Sequence, residues 1–140
     1  MLRNFLAVIA GIFIGNVVIR LIQRVSNEIY PIPESLDTSN MEALAEYINT
    51  LPFNALLLLL LSHVIGTLIA AFVAVRISSS HSPLFALVVG GLILLMAVVF
   101  FFQLKHPVWF MALDLILYLP IAWLGGQLAL KTLRPKTTES

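Results

Sequence analysis

Asp114 and Tyr118 stand four residues apart in the apolar run W-F-M-A-L-D-L-I-L-Y, so on a helix a carboxylate and a phenol share one face, a turn apart. A second polar set lies near the start of the chain. At about 100° per residue, Asn16, Arg20, Gln23 and Asn27 fall within a helical stripe about 60° wide. His63 is the one ionisable side chain between Leu51 and Ala74. A guanidinium can grip a carboxylate with two parallel hydrogen bonds. The expectation is therefore a buried Arg20 to Asp114 pair with His63 beneath it, and with Asn16 and Tyr118 satisfying the remaining lone pairs. Such a cluster can lock helix register, or it can relay a proton or hold an ion or polar solute.

Other chemistries find little support. Ser62 and His63 are adjacent, so on a helix their side chains diverge by about 100° and cannot act as nucleophile and base. There is no H-E-x-x-H, P-loop or G-x-G-x-x-G pattern. His63, His81 and His106 fall at three different depths, which argues against a three-ligand metal site. Neither a metal nor a cofactor is expected, and no catalytic residue is assigned. With no cysteine, disulfides, lipid thioesters and thiolate metal sites are excluded. The eight basic residues are scattered, so nothing invites nucleic acid.

The elements that must position these side chains are set by hydropathy. A chain of 140 residues that is 60% hydrophobic and 11% charged, with mean hydropathy +1.01, cannot hide its apolar surface inside a globule of 15.5 kDa. Lipid must cover the rest. Four apolar stretches, about residues 4–28, 51–77, 84–104 and 108–130, each reach the roughly 20 residues that cross a bilayer. The first continues too far to be a secretory signal and reads as an uncleaved anchor. The turns between the later stretches are short, which predicts an antiparallel four-helix bundle, all-α and a single domain over residues 1–140.

Tyr30-Pro31-Ile32-Pro33 breaks the first helix and opens an acidic segment, residues 30–50. Within it Ser39 and Glu42 have capping-box spacing, and Met41, Leu44, Ala45 and Ile48 recur at helical spacing. A short amphipathic helix between the first two spans is expected. Lys and Arg near the span ends divide as Arg3, Arg76, Lys131, Arg134 and Lys136 against Lys105, Arg20 and Arg24. This bias predicts cytoplasmic termini and an extracytoplasmic acidic segment, with Trp109 at the outer interface. Arg24 and Glu28 add an expected i,i+4 ion pair. Small residues mark the packing faces: Gly11 with Gly15 on the first span, Gly66 on the second, and Gly125 with Gly126 on the fourth. The Gly90-Gly91 pair is a further packing point, and Pro120 a kink.

The segments L-R-N, A-V-I-A-G-I-F-I-G, Y-P-I-P, S-H-V-I-G-T-L-I-A-A-F-V-A and W-F-M-A-L-D-L-I-L-Y-L-P-I-A-W-L-G-G resemble a group of small four-helix bacterial inner-membrane proteins with no assigned activity. The resemblance implies a bacterial inner-membrane location and carries no mechanism. The function expected from the residues is non-enzymatic: an accessory or scaffold subunit whose glycine and alanine faces dock other helices and whose acidic segment meets a partner outside. The alternative is a small dimeric transporter or channel built on Arg20, His63 and Asp114. An intramembrane enzyme ranks third. The partners expected are the bilayer itself and a second copy or other membrane subunits.

Overall fold

The computed structural model describes residues 1–133, and among them all regular structure is helical: α1 (Leu2–Ile29), α2 (Met41–Thr50), α3 (Phe53–Ile77), α4 (Leu84–Gln103) and α5 (Val108–Leu133). Arg134 and Lys136, counted in the charge balance, lie outside the described residues. Four of the helices, α1, α3, α4 and α5, are long and apolar enough to cross a membrane.

Proline sets the starts of three of them. Pro52, Pro83 and Pro107 each stand immediately before the first residue of α3, α4 and α5, where a missing N–H costs nothing and the fixed φ suits a helix opening. The second span accordingly begins at Phe53, two residues later than its hydropathy suggests. The short helix α2 is capped differently from the sequence expectation. Asn40 is the N-cap, its Oδ1 accepting from the backbone N–H groups of Glu42 and Ala43 at 3.0 and 3.2 Å. Ser39 instead donates to Asp37 Oδ1 at 2.6 Å. Those bonds to Ser39 hold the exposed Asp37 carboxyl below its ordinary pKa.

Packing is organised around α3, which lies against α1, α5 and α4, whereas α1 touches α4 only lightly. Close approach depends on missing side chains. At Gly15 a Cβ would stand 2.7 Å from both the Ala70 Cβ and the Gly66 carbonyl oxygen, so α1 can seat on α3 only with glycine there. Gly11 meets Ala70 and Ala74, Gly66 meets Gly15 and Ile19, Gly125 meets Leu68 and Ala71, and Gly126 meets Ala86. Gly90 rests on Ala122, but Gly91 has nothing near it, so only half of that pair is a packing point.

The ends of the molecule differ. Near the chain start, Arg3 Nε donates to the Ile77 carbonyl at 2.8 Å and Asn4 Oδ1 accepts from Ser79 N and Oγ, so the first turn of α1 clasps the end of α3. The half around Ala71, Val75, Ala86, Ala122 and Ala129 is fully buried small-residue packing. Towards α2 the core is made of larger side chains: Ile48, Leu56, Leu60, Leu104 and Phe110. The outer surface is apolar, with Phe5, Phe13, Leu95, Phe102 and Ile116 each more than half exposed, which suits lipid and not water.

Candidate functional site: a histidine and a carboxylate at the foot of a slot

Asp114 enters on the second turn of α5 and turns inward against α3. It is 1% exposed, and its partner is not Arg20. His63 Nδ1 lies 2.9 Å from Oδ1 and 3.0 Å from Oδ2, an N–H shared between both carboxylate oxygens. Tyr118, one turn along α5, donates its hydroxyl to Oδ2 at 2.8 Å, and its oxygen is 3.3 Å from the same histidine nitrogen. Two donors therefore meet one buried carboxylate, and the ring of His63 stacks beside that of Tyr118 at 6.2 Å. His63 is about 15 Å along α3 from Phe53, so the cluster sits deep within the span.

The expected Arg20 to Asp114 pair is not formed, and the helix order gives the reason. α3 lies between α1 and α5, and Arg20 sits on the outward side of α1, exposed. Among the described residues the contact of His63 with Asp114 is the one with ion-pair geometry, so Arg24 and Glu28 do not pair either. Asn16, by contrast, does face the cluster. It lines the same cavity as His63, Asp114 and Tyr118, while its Nδ2 donates to the Ile12 carbonyl at 3.0 Å.

That cavity, about 210 Å³, lies between α1 and α4 with the cluster as its floor. A second, about 260 Å³, continues towards α2 and is lined by Gln23, Ser26, Asn27, Tyr47 and His106 among others. His63 and Phe100 border both, so the two form one slot. Asn16, Gln23 and Asn27 of the α1 polar stripe line it, and Arg20 stands outside, in a neighbouring surface groove with Gln23 and Asn27. His63 is 18% exposed, and Nε2 has no hydrogen-bond partner among the described residues. Holding Nδ1–H on the carboxylate leaves Nε2 as the nitrogen able to take up or give a proton or bind a solute. One turn further, the Thr67 hydroxyl is fully buried without a partner, beside a crevice too narrow for water that also touches His63 and Asp114. It is the one fully buried polar side-chain atom without a partner among the described residues, and it adjoins the cluster.

His106 was hidden from sequence reasoning. Read as part of a turn at Lys105-His106-Pro107, it folds inward to 6% exposure, with its ring stacked on Phe110 at 5.3 Å and its edge against Phe101 at 5.2 Å. Its Nδ1 is 2.9 Å from the Leu104 carbonyl. Burial pushes its pKa below the ordinary histidine value, against the opposing effect of that bond. The signal that could have found it is the surrounding aromatic set, Phe100, Phe101 and Phe110, which needs an edge to pack on. His63 and His106 both line the part of the slot nearer α2.

The chain matches no protein-family model, no curated protein and no solved structure. The site stands on its own geometry.

Proposed function

We propose that this chain is a small multi-pass transporter in which the slot between α1 and α4 leads a proton or polar solute to His63, Asp114 and Tyr118. One observation carries this reading. A buried carboxylate orients a histidine whose other nitrogen is left for the slot, while the opposite half of the molecule is packed tight with alanine and valine. Access from one end and closure at the other is the arrangement from which alternating access starts. When His63 takes up a proton at Nε2, the adjacent carboxylate offsets the charge, so loading does not leave an unpaired cation within the membrane. The orphaned Thr67 hydroxyl offers a further polar contact on the closed side.

The scaffold alternative drew on small-residue faces free to dock other helices. Those of Gly11, Gly15, Gly66, Gly125 and Gly126 are occupied within the chain itself, which leaves the acidic segment as its remaining support. In the proposed arrangement the long helices form an antiparallel bundle in a bacterial inner membrane, with both termini in the cytoplasm. The α2 end of the slot is then extracytoplasmic, and the working unit is a dimer, because four short helices seldom enclose a pathway alone. The test is flux. Purified protein in liposomes should pass protons or a polar solute under an imposed pH gradient, and Asp114→Asn should abolish it. Flux that survives Asp114→Asn unchanged, or a protein that shows none and co-purifies with a stoichiometric membrane partner, would overturn the proposal in favour of the accessory reading.

A further inference from the structure

The slot does not open only at its end. Met96 and Phe100 of α4 line it and are themselves 57% and 47% exposed on the outer surface, and α1 and α4 barely touch. It is therefore open sideways, towards lipid, along the line where α1 and α4 fail to close.

The lip of that opening is cationic. Gln23 and Asn27 line both the slot and a neighbouring surface groove that also holds Arg20 and Arg24. The depth of this groove follows from the α1 to α3 contacts. Gly11 meets Ala70, Gly15 meets Gly66, and Ile19 also meets Gly66, so Arg20 lies near the level of His63 and Arg24 one turn nearer the α2 end. Two guanidinium groups thus stand exposed at membrane depth with no ion-pair partner among the described residues. A second copy of the chain offers Arg20 nothing. Its one carboxylate at that depth, Asp114, is buried and engaged, and the other described acids lie at the end of α1 or in residues 30–50. Exposed cations at such depth call for an anion that can itself reside in lipid.

Behind the lip the wall is apolar: Ile19, Ile93, Met96, Ala97 and Phe100. Cationic lip, apolar wall and lateral opening define one chemistry. We infer that the slot takes an anionic amphiphile from the bilayer, its phosphate or carboxylate head held at the lip by Arg20 and Arg24 with Gln23 and Asn27, and its hydrocarbon chain along α4. This rests on the slot being the route to His63, and it narrows the polar cargo of that route to the anionic head group of an amphiphile.

The chain contains no cysteine, so a single one placed at Met96 reports slot occupancy through its rate of maleimide labelling in neutral detergent. Dodecyl phosphate should slow labelling of Met96→Cys several-fold, whereas dodecanol and inorganic phosphate should not. A cysteine at Leu128, exposed on α5 outside the slot, should label at one rate throughout. Adding Arg20→Gln and Arg24→Gln should remove the protection, and Arg20→Lys with Arg24→Lys should keep it. Equal protection by dodecanol, protection by inorganic phosphate alone, or protection that survives the glutamine pair would overturn the inference. Should the glutamine pair not fold, the comparison of dodecyl phosphate with dodecanol on the arginine-bearing protein decides by itself. Protection without pH-driven flux would keep the binding site and sink transport; flux without protection would do the reverse.

Discussion

Removing His63 tests the cluster most directly, because it withdraws one of two donors from a carboxylate that is 1% exposed. A hydrogen bond to a charged group contributes roughly 1.5–3 kcal/mol, and stripping one partner from a buried pair costs about 3–5 kcal/mol in soluble proteins. Tyr118 still donates to Oδ2, and the residual slot gives the carboxylate another route to polar contact. The lower part of that span, about 3 kcal/mol for His63→Ala, is therefore expected. Removing both partners with His63→Ala and Asp114→Leu should recover most of it, since no buried charge is left behind. Arg20→Ala, on an exposed face, should stay within about 0.5 kcal/mol. The assay is reversible unfolding in mixed micelles, followed by loss of helical signal, for the wild type, both singles, the double and Arg20→Ala. An additive double mutant would refute the coupling of His63 to Asp114. So would a loss from Arg20→Ala as large as that from His63→Ala.

Gly15→Leu should separate α1 from α3, because even a Cβ would come within 2.7 Å of Ala70 and Gly66; a stability loss of at least about 1–3 kcal/mol and lower expression are expected on thermal scanning in detergent. Asn40→Ala removes the acceptor for the Glu42 and Ala43 N–H groups and should cost α2 about 1 kcal/mol, seen as faster hydrogen exchange confined to residues 41–50. His106 has a folded pKa below its unfolded value, so the folded state binds fewer protons. Its contribution to stability should be complete above the ordinary histidine pKa of about 6.5 and be lost as pH falls through the lower folded value. A melting temperature that falls on acidification, and falls less in His106→Phe, which keeps the stack on Phe110, is the expected result.

The spans were legible because lipid imposes one requirement, continuous apolar length, and each observed long helix overlaps its expected stretch to within a few residues. Prolines sharpened the starts beyond what hydropathy could do. The polar stripe Asn16, Arg20, Gln23 and Asn27 was legible as a face, and Asp114 with Tyr118 as a helical pair. What each face meets was not. Pairing across helices depends on which helix lies in the middle, and with short turns several orders are sterically open. Arg20 suits Asp114 in charge, depth and bidentate geometry, but the observed order puts α3 between them and hands the carboxylate to His63. His106 illustrates the other gap, since a turn sequence does not say whether its ring points outwards or into an aromatic nest. The cap of α2 moved from Ser39 to Asn40 because two side-chain acceptors competed within two residues.

The position of Asp114 on α5 bears on how the chain is built. Of the four long helices α5 has the lowest hydropathy, and among the described residues it carries the only carboxylate set deep within a span, Glu28 lying at the end of α1. It is synthesised after α3, and Tyr118 follows Asp114 one turn along the same helix. The acid's receptor therefore precedes it in the chain by fifty-one residues, so a partner is already made when the acid emerges. A chain whose α3 lacked that imidazole would meet its difficulty during biogenesis, when α5 inserts, before any question of mature stability arose.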